Sequence, residues 1–478
     1  MRHLTPVRCK PARSGRWFWR LGAVLVLGGG GWPLGTLAQE PVSGAAPAVG
    51  PGAQPTAVLS AEALKADLAQ FRTGFMARDR AYSPVARAEA ERRLDALASS
   101  AEPMDATRLG LALAQVAALA DNGHTLVSLS RLVDQSGRVP LRLVPFGDGE
   151  FRVLRAREPE ADWLGARLVA IDDQPLERLR AAAHALVGGL PAWRDRSAPF
   201  LFESPQMLHA LGLVADPQAA RYRVQLDDGR TIERRLTAEP PGPTRPRADT
   251  QRLLLPEVTP PELGWRGVLA LADAPWALRE ATLRLRWRAW PERQALVVDL
   301  RVANDAAHTK LADFLAGVNA ALAEQQPRHL VIDLRQNGGG DLTKLRDFAE
   351  SLPQRVPGRV FVLTSPWTFS AAISTLGYLK QAAPERVQIV GEPIGDRLVF
   401  FAEGRPLRLT HSGMVALMAT ERHDYRDGCR AFDDCHAPVR LRPIARPSLA
   451  PDLPVPWTFA DYRAGRDPAM EAVDAQLR

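Results

Sequence analysis

Cysteine is scarce in this chain, with three residues among 478. Cys9 lies in an N-terminal segment that we expect to be removed, which leaves Cys429 and Cys435 in the run CRAFDDC. No thiol then remains for a redox pair, and no His-rich ligand spacing accompanies the two, which argues against a metal site. Two cysteines this close in an exported protein favour a small disulfide loop, which would stabilise the fold by roughly 2 kcal/mol.

Several catalytic and cofactor motifs are also missing. The sequence contains no Gly-x-Ser-x-Gly elbow, no Ser-x-x-Lys, no His-Glu-x-x-His zinc helix and no Gly-Lys-Ser/Thr phosphate loop. Its triple glycine lacks the third spaced glycine of a dinucleotide fingerprint. We therefore predict a protein without a metal or cofactor.

The first 38 residues lack acidic side chains and any apolar run long enough to span a membrane. Six basic residues precede or begin a short apolar stretch, LGAVLVLGGGG, and a small-residue site ends at Ala38. This is typical of a secretory signal peptide, since a spanning helix needs about 20 apolar residues. Its removal would lower the formal net charge from +7 to +1, so the basic composition implies no nucleic-acid partner. We predict a bacterial periplasmic or secreted protein without stable membrane insertion.

The mature chain exceeds what one core usually organises, and its patterns change along its length. The predicted regions are a disordered linker at 39–59, an N-terminal helical bundle at 60–135, a β-rich and partly PDZ-like domain at 136–255, and an α/β domain with a parallel sheet at 256–478. In the β-rich region, two alternating segments each turn at a Gly-Asp-Gly or Asp-Asp-Gly sequence, as hairpins do.

Residues 329–372 contain two consecutive strand-then-helix patterns. Each apolar run stops at a polar or glycine-rich turn, the first at Gly338–Gly340 and the second at Ser370. Chemistry in parallel sheets lies at the carboxyl ends of the strands, so both turns should meet at one edge. Bare glycine N–H groups can form an oxyanion hole, and a serine opening a helix can project its hydroxyl. Each feature alone is explained by a turn or a helix cap; together they indicate acyl transfer.

At this point the chain resembles the S41 peptidases, the family of tail-specific and tricorn-core proteases. The similar stretches are DNGHT at 121–125, VIDLRQNGGGD at 331–341, LTSPWTFSAA at 363–372 and IVGEPIG at 389–395. The resemblance implies a crotonase- or ClpP-like catalytic fold with Ser370 as the nucleophile. It also implies a His-containing segment near the N-terminus in the tricorn-like branch, which matches Gly123-His124-Thr125, although that branch has a serine where Gly123 stands.

A serine is weakly nucleophilic and needs a base within hydrogen-bond reach. The tail-specific branch uses a lysine some 25 residues after the serine, but this chain reads GEPIGDR there and has none. His124 is therefore the predicted base, because a neutral imidazole can accept and return the proton. His411 and His423 are fallbacks. The resemblance places the orienting acid well after the nucleophile, which leaves Asp424 first, then Glu421 and Asp427.

The sequence thus predicts an exported serine peptidase acting on peptide or protein substrates. Ser370 would attack, His124 would move the proton, Asp424 would orient the ring, and the N–H groups of Gly339 and Ala371 would hold the oxyanion. Two alternatives remain open: a catalytically silent protein that binds a peptide or lipid on the same scaffold, and an esterase.

Overall fold

The strands form two large sheets and several smaller ones, and the helices pack around them. The computed structural model describes residues 58–99, 103–240, 252–258, 264–430 and 433–478, so the predicted signal peptide and all but the last two residues of the predicted linker lie outside the described residues. The helices are α1 Ala61–Phe71, α2 Pro84–Ser99, α3 Ala106–Ala118, α4 Leu129–Gln135, α5 Leu176–His184, α6 Pro191–Phe202, α7 Pro205–Ala210, α8 Leu311–Gln325, α9 Leu342–Ser351, α10 Ala371–Ala382, α11 Ala437–Leu441, α12 Phe459–Arg463 and α13 Pro468–Leu477.

The strands occur both between these helices and in runs without an α-helix between them. They are β1 Val58–Leu59, β2 Met104–Asp105, β3 Leu126–Val127, β4 Leu141–Pro145, β5 Phe151–Arg157, β6 Arg167–Ile171, β7 Gln174–Pro175, β8 Ala219–Gln225, β9 Thr231–Thr237, β10 Trp265–Gly267, β11 Leu285–Trp290, β12 Ala295–Leu300, β13 His329–Asp333, β14 Val360–Thr364, β15 Val387–Gly391, β16 Val399–Ala402, β17 Pro406–Arg408, β18 Val415–Leu417, β19 Glu421–Asp424 and β20 Leu453–Pro454. None of the described helices is long and apolar enough to cross a bilayer.

The N-terminal helices and the middle sheet share one hydrophobic core. The middle sheet is antiparallel, with the order β10-β5-β6-β8-β9 and with β4 pairing β5, so both hairpins have the predicted pairing. Residues of α1 and α3, such as Leu68 and Leu109, belong to the same buried cluster as Phe151 and Tyr222 of the sheet. The predicted bundle and β-rich domain are thus packed together, within a single compact unit that includes the C-terminal sheet.

The C-terminal sheet has the order β11-β12-β13-β14-β15-β20, and every pair from β12 onward is parallel. Its central strands are apolar at nearly every position because both faces are covered. Ile332 and Val362 pack into one core cluster, and Val331 and Phe361 pack into another on the opposite face. Each fully buried side chain of this size contributes about 1.5–3 kcal/mol, so the strand ends are rigidly held. The predicted mixed α/β class with a parallel sheet is confirmed.

Candidate active site

Ser370 lies at the start of α10, immediately beyond the turn that follows β14. Its backbone angles are φ 55° and ψ −126°, a conformation that residues with a side chain rarely adopt. Holding a non-glycine residue in such a region costs of order 1–3 kcal/mol. Strained turns of this kind, between a strand and a helix, are known to expose a nucleophilic hydroxyl. The conformation is therefore the first structural sign that Ser370 is more than a helix cap, and its side chain accepts no capping hydrogen bond.

Hydrogen bonds to the neighbouring strand end hold this strained turn. Ser365 Oγ donates to the carbonyl of Arg335 at 2.6 Å, and Thr368 Oγ1 donates to the carbonyl of Leu334 at 2.9 Å. The N–H of Phe369 donates to the carbonyl of Asn337 at 3.0 Å. The turns after β13 and β14 are thereby fixed to each other, so the glycine-rich loop and Ser370 meet at one sheet edge, as the sequence predicts.

A buried ion-pair network lies beneath the glycine-rich loop. Arg335 Nη2 is 2.7 Å from Asp333 Oδ2, and Arg335 Nη1 is 2.7 Å from Asp467 Oδ1. Burial alone would lower the pKa of the Arg335 guanidinium, but the two carboxylates outweigh it and raise that pKa well above its ordinary value. The arginine therefore stays charged and anchors the beginning of the loop to the C-terminal helix.

Gly339 brings the glycine-rich loop against the serine. A side chain at this position would start 2.6 Å from Ser370 Cβ and 3.1 Å from Ser370 Oγ, and the backbone has φ 109°, so only glycine fits. The two predicted oxyanion donors differ in this structure. The N–H of Ala371 has no hydrogen-bond partner among the described residues, whereas the N–H of Gly339 donates to Asn337 Oδ1 at 2.9 Å.

Long-range contacts bring the His124 segment to this edge. The Asn122 side chain donates to the Phe401 carbonyl at 2.9 Å and accepts from the Phe401 N–H at 3.0 Å. Arg397 donates to Asp121 Oδ2 at 2.8 Å. Just beyond the histidine, β3 pairs with β18, which forms a hairpin with β17. The early segment is thus incorporated into the C-terminal half of the molecule.

The imidazole of His124 stacks on two phenyl rings, that of Phe369 at 4.3 Å between centroids and that of Phe400 at 5.2 Å. Phe369 precedes Ser370 in the chain, so the histidine lies against the turn that bears the serine. Its Nδ1 is 3.6 Å from Asp396 Oδ2, beyond hydrogen-bond length, and the Asp396 side chain is 1% exposed. Neither ring nitrogen of His124 makes a hydrogen bond within the described parts of the chain, so the contact with Ser370 is not closed.

The structure places Asp424 away from His124. In the β16–β19 pair, His423 is opposite Phe400 and Asp424 is opposite Val399, so Asp424 faces the other side of the pair from the ring that contacts His124. The buried Asp424 carboxylate pairs with Arg422 at 3.0 Å. The geometry thus brings Asp396, which the sequence did not single out as an acid, beside the histidine in place of the predicted residue.

The remaining candidates also lie apart from the serine turn. Glu421 pairs with His436 at 2.7 Å, and Asp427 pairs with Arg426 at the surface. His411 is exposed. His423 is buried and stacks on Phe400 at 4.9 Å.

The tricorn-like branch has a serine where this chain has Gly123, and the surroundings of Gly123 explain the difference. A side chain there would start 3.0 Å from the Phe369 ring and 3.1 Å from Asp396 Oδ2. Its absence lets both groups approach His124. Two features of the sequence are therefore consistent with Asp396 as the acid: its place in GEPIGDR and the glycine before His124. Only the fold shows that these two stretches lie together.

No family model and no curated protein matches the chain. Among solved structures it is similar to mature CPAF complexed with lactacystin, with 13% identity over 87% of this chain and 98% of that chain and a TM-score of 0.53. A CPAF mutant gives 12% identity over 87% and 97% of the two chains and a TM-score of 0.54. The photosystem II D1 C-terminal processing protease matches at 14% identity over 85% of this chain and 97% of that chain, but its TM-score of 0.37 is too low to support a conclusion. At these identities the comparison shows the fold alone, which is that of CPAF.

The disulfide prediction is confirmed. Cys429 and Cys435 are bonded to each other, with their Cα atoms 5.9 Å apart. The bond closes the segment that follows β19.

Proposed function

We propose that this chain is an exported serine peptidase with Ser370 as its nucleophile, His124 as its general base and Asp396 as the acid that orients His124. The observation that carries the proposal is the meeting of three sequence regions at one sheet edge. A strained serine, a histidine stacked on the residue before it, and a buried carboxylate 3.6 Å from that histidine lie together. A nucleophile, a base and a group that orients the base are the parts that acyl transfer requires.

In the reaction, His124 Nε2 takes the proton of Ser370 Oγ while that oxygen attacks the carbonyl carbon of the peptide bond. The oxyanion accepts hydrogen bonds from the N–H of Ala371 and, once Asn337 releases it, from the N–H of Gly339. His124 then returns the proton to the leaving amine, and an acyl-serine remains. Water repeats the sequence and regenerates the serine. Proton transfer of this kind contributes about 10²–10⁴-fold, and one oxyanion donor about 10²–10³-fold.

Closing the contact between His124 and Asp396 requires only a small movement. Nδ1 of His124 and the Asp396 oxygen must approach by well under 1 Å to reach the usual range of about 2.7–3.2 Å. Catalytic hydrogen bonds are often long before substrate binds and tighten in the complex. Bound substrate is therefore expected to draw the histidine toward both partners.

Covalent labelling with a fluorophosphonate probe tests the assignment. The purified protein should be labelled at Ser370, and Ser370→Ala should abolish the label. His124→Ala should slow labelling by about 10⁴-fold with circular dichroism unchanged. The exposed His411→Ala serves as the matched control and should label at the wild-type rate. A folded wild-type protein with an inert Ser370 would contradict the proposal and would favour the ligand-holding alternative.

A pair of substrates with the same acyl group separates a peptidase from an esterase. Hydrolysis of both the amide and the ester, each lost in Ser370→Ala, supports the peptidase. Turnover of the ester alone would replace it with the esterase.

Export is proposed from residues 1–38 and from the disulfide, which persists in oxidising compartments. Fractionation of a producing bacterium should place the protein outside the cytoplasm, and amino-terminal sequencing should begin at Gln39. A cytoplasmic protein that retains Met1 would contradict it.

A further inference from the structure

Three side chains with metal-ligating atoms converge outside the candidate active site. Glu403, His423 and His436 each offer one ligand atom, and these atoms all lie within 4.8 Å of one another. His423 Nε2 is 3.3 Å from Glu403 Oε1, and His436 Nε2 is 4.0 Å from the same oxygen. Two ligands of a tetrahedral zinc ion, each bonded at about 2.1 Å, are about 3.4 Å apart. The cluster is therefore close to the size that such an ion requires.

His423 points a buried, unsatisfied atom into this cluster. Its side chain is 3% exposed, and Nε2 makes no hydrogen bond of adequate geometry within the described residues. Leaving a buried polar atom unsatisfied costs about 1–3 kcal/mol. The other ring nitrogen, Nδ1, lies 2.9 Å from Tyr425 Oη, which is 2.6 Å from Ser374 Oγ. When Nδ1 donates to Tyr425, Nε2 carries a lone pair directed toward Glu403, which is what a metal ligand needs.

His436 has the same arrangement. Its Nδ1 lies 2.7 Å from Glu421 Oε2, so Nε2 is the nitrogen left for the cluster. Histidines that bind metals almost always donate their second ring N–H to a carboxylate or another oxygen, which fixes the ring and makes the ligand nitrogen more basic. Both histidines therefore already have outer partners of the expected kind.

The fold fixes the ligands while leaving the cluster accessible. The N–H of His436 donates to the carbonyl of Arg422 at 2.9 Å, and the Cys429–Cys435 disulfide closes the preceding loop. His436 is thereby held beside His423 on β19. The side chains of Glu403 and His436 are 22% and 16% exposed, so an ion can enter from solvent.

We propose that Glu403, His423 and His436 bind one divalent first-row transition metal ion, with Glu421 and Tyr425 as the outer partners of the two histidines. Two imidazoles and one carboxylate suit zinc and its neighbours and do not suit magnesium or calcium, which prefer oxygen ligands. None of these ligands belongs to the Ser370, His124 and Asp396 set, so zinc binding and the labelling of Ser370 can be measured separately.

Zinc binding to the purified protein tests the site. After treatment with a chelator and dialysis, titration with Zn²⁺ should show one ion bound per chain, and Mg²⁺ should show none. His436→Ala removes a partly exposed ligand and should abolish this stoichiometric binding. Glu421→Gln removes only the outer carboxylate and should weaken zinc binding about 10- to 100-fold. The exposed His308→Ala is the matched control and should bind as the wild type does.

A spectroscopic and a thermal readout complete the test. Co²⁺ in place of Zn²⁺ should give visible absorption bands that His436→Ala lacks, and excess Zn²⁺ should raise the melting temperature of the wild type but not of that variant. The proposal is overturned if the folded wild type binds no Zn²⁺ at micromolar concentration. It is equally overturned if His436→Ala and Glu403→Gln, both folded, bind it with unchanged affinity.

Discussion

The serine and the histidine of the candidate site are positioned in opposite ways. Ser370 follows its strand within one short turn, and the groups that hold the turn come from the ends of β13 and β14. His124 lies in a segment attached to the other half of the chain, and its neighbour Asn122 bonds to a residue 279 positions later. The position of the proposed nucleophile is therefore set by one pair of adjacent strands, whereas the position of the proposed base is set by contacts between distant parts of the chain.

This difference predicts where the site is vulnerable. Changes near Ser370 should act through local strain, and changes near His124 should act by displacing a ring that many distant contacts hold.

Replacing the acid beside His124 should have the largest effect. Asp396→Asn should lower the rate of fluorophosphonate labelling by about 10³-fold or more, because the imidazole loses the carboxylate that orients it and stabilises its protonated form. Labelling kinetics under pseudo-first-order conditions measure this.

The matched control is the acid that the sequence favoured. Asp424→Asn should leave the labelling rate near that of the wild type but lower the free energy of unfolding by about 1–3 kcal/mol, because Asp424 is buried beside Arg422. A larger loss of rate in Asp424→Asn than in Asp396→Asn would reverse the assignment of the acid.

Loosening the His124 segment should have the next largest effect. Asn122→Ala removes two hydrogen bonds to the Phe401 backbone, leaves those backbone groups unsatisfied, and should cost about 2–4 kcal/mol of stability. Because a misplacement of about 1 Å can cost 10²-fold in rate, labelling should slow by about that factor. Urea denaturation and labelling measure the two effects.

Asp121→Asn offers the comparison for Asn122→Ala. It weakens two ion pairs of the same segment, with Arg194 and with Arg397, and exposed pairs of this kind contribute no more than about 1 kcal/mol each. Equal losses of rate in the two variants would show that Asn122 does not position the histidine.

A smaller effect should reveal the strain at the serine. Ser370→Gly should be more stable than Ser370→Ala by about 1 kcal/mol, because glycine adopts φ 55° without steric cost. Neither variant should be labelled. Thermal or urea denaturation of the two proteins measures the difference, and a glycine variant less stable than the alanine variant would argue against strain at this position.

The smallest effect concerns pH at the same sheet edge. Burial raises the pKa of Glu392, just after β15, from its ordinary 4.5 to about 7. The folded state then binds more protons than the unfolded state between these values, so this group's contribution to stability is present below pH 4.5 and is lost as the pH rises toward 7. Glu392→Gln should flatten the pH dependence of the free energy of unfolding in that window, and the exposed Glu385→Gln should not. An unchanged slope in Glu392→Gln would contradict the assignment.

Local patterns account for what could be predicted from the sequence. The parallel strands, the two hairpins, the glycine turn beside Ser370 and the disulfide all depend on residues close together in the chain. His124 was predicted only through resemblance, because a lone histidine after a turn has no pattern of its own. Asp396 was not predicted as the acid because its approach to His124 depends on a glycine at position 123, some 270 residues earlier in the chain.

The metal-ligating cluster could not be predicted for a related reason. Glu403, His423 and His436 are spaced too widely for any ligand motif, and only the pairing of β16 with β19 and the disulfide bring them together. The shared core of the bundle and the β-rich region could not be predicted either. Each region has its own sequence pattern, and only the fold shows that residues of both are buried in one cluster.

Six rings form a continuous stack through the molecule: Trp193, Phe369, His124, Phe400, His423 and His436, each stacked on the next. Because Phe369 and Phe400 each stack on His124 but not on each other, one covers each face of the imidazole. The ring cannot flip over or tilt without displacing a neighbour, and it can only slide within its own plane. Any hydroxyl or carboxylate must therefore meet the imidazole at its rim.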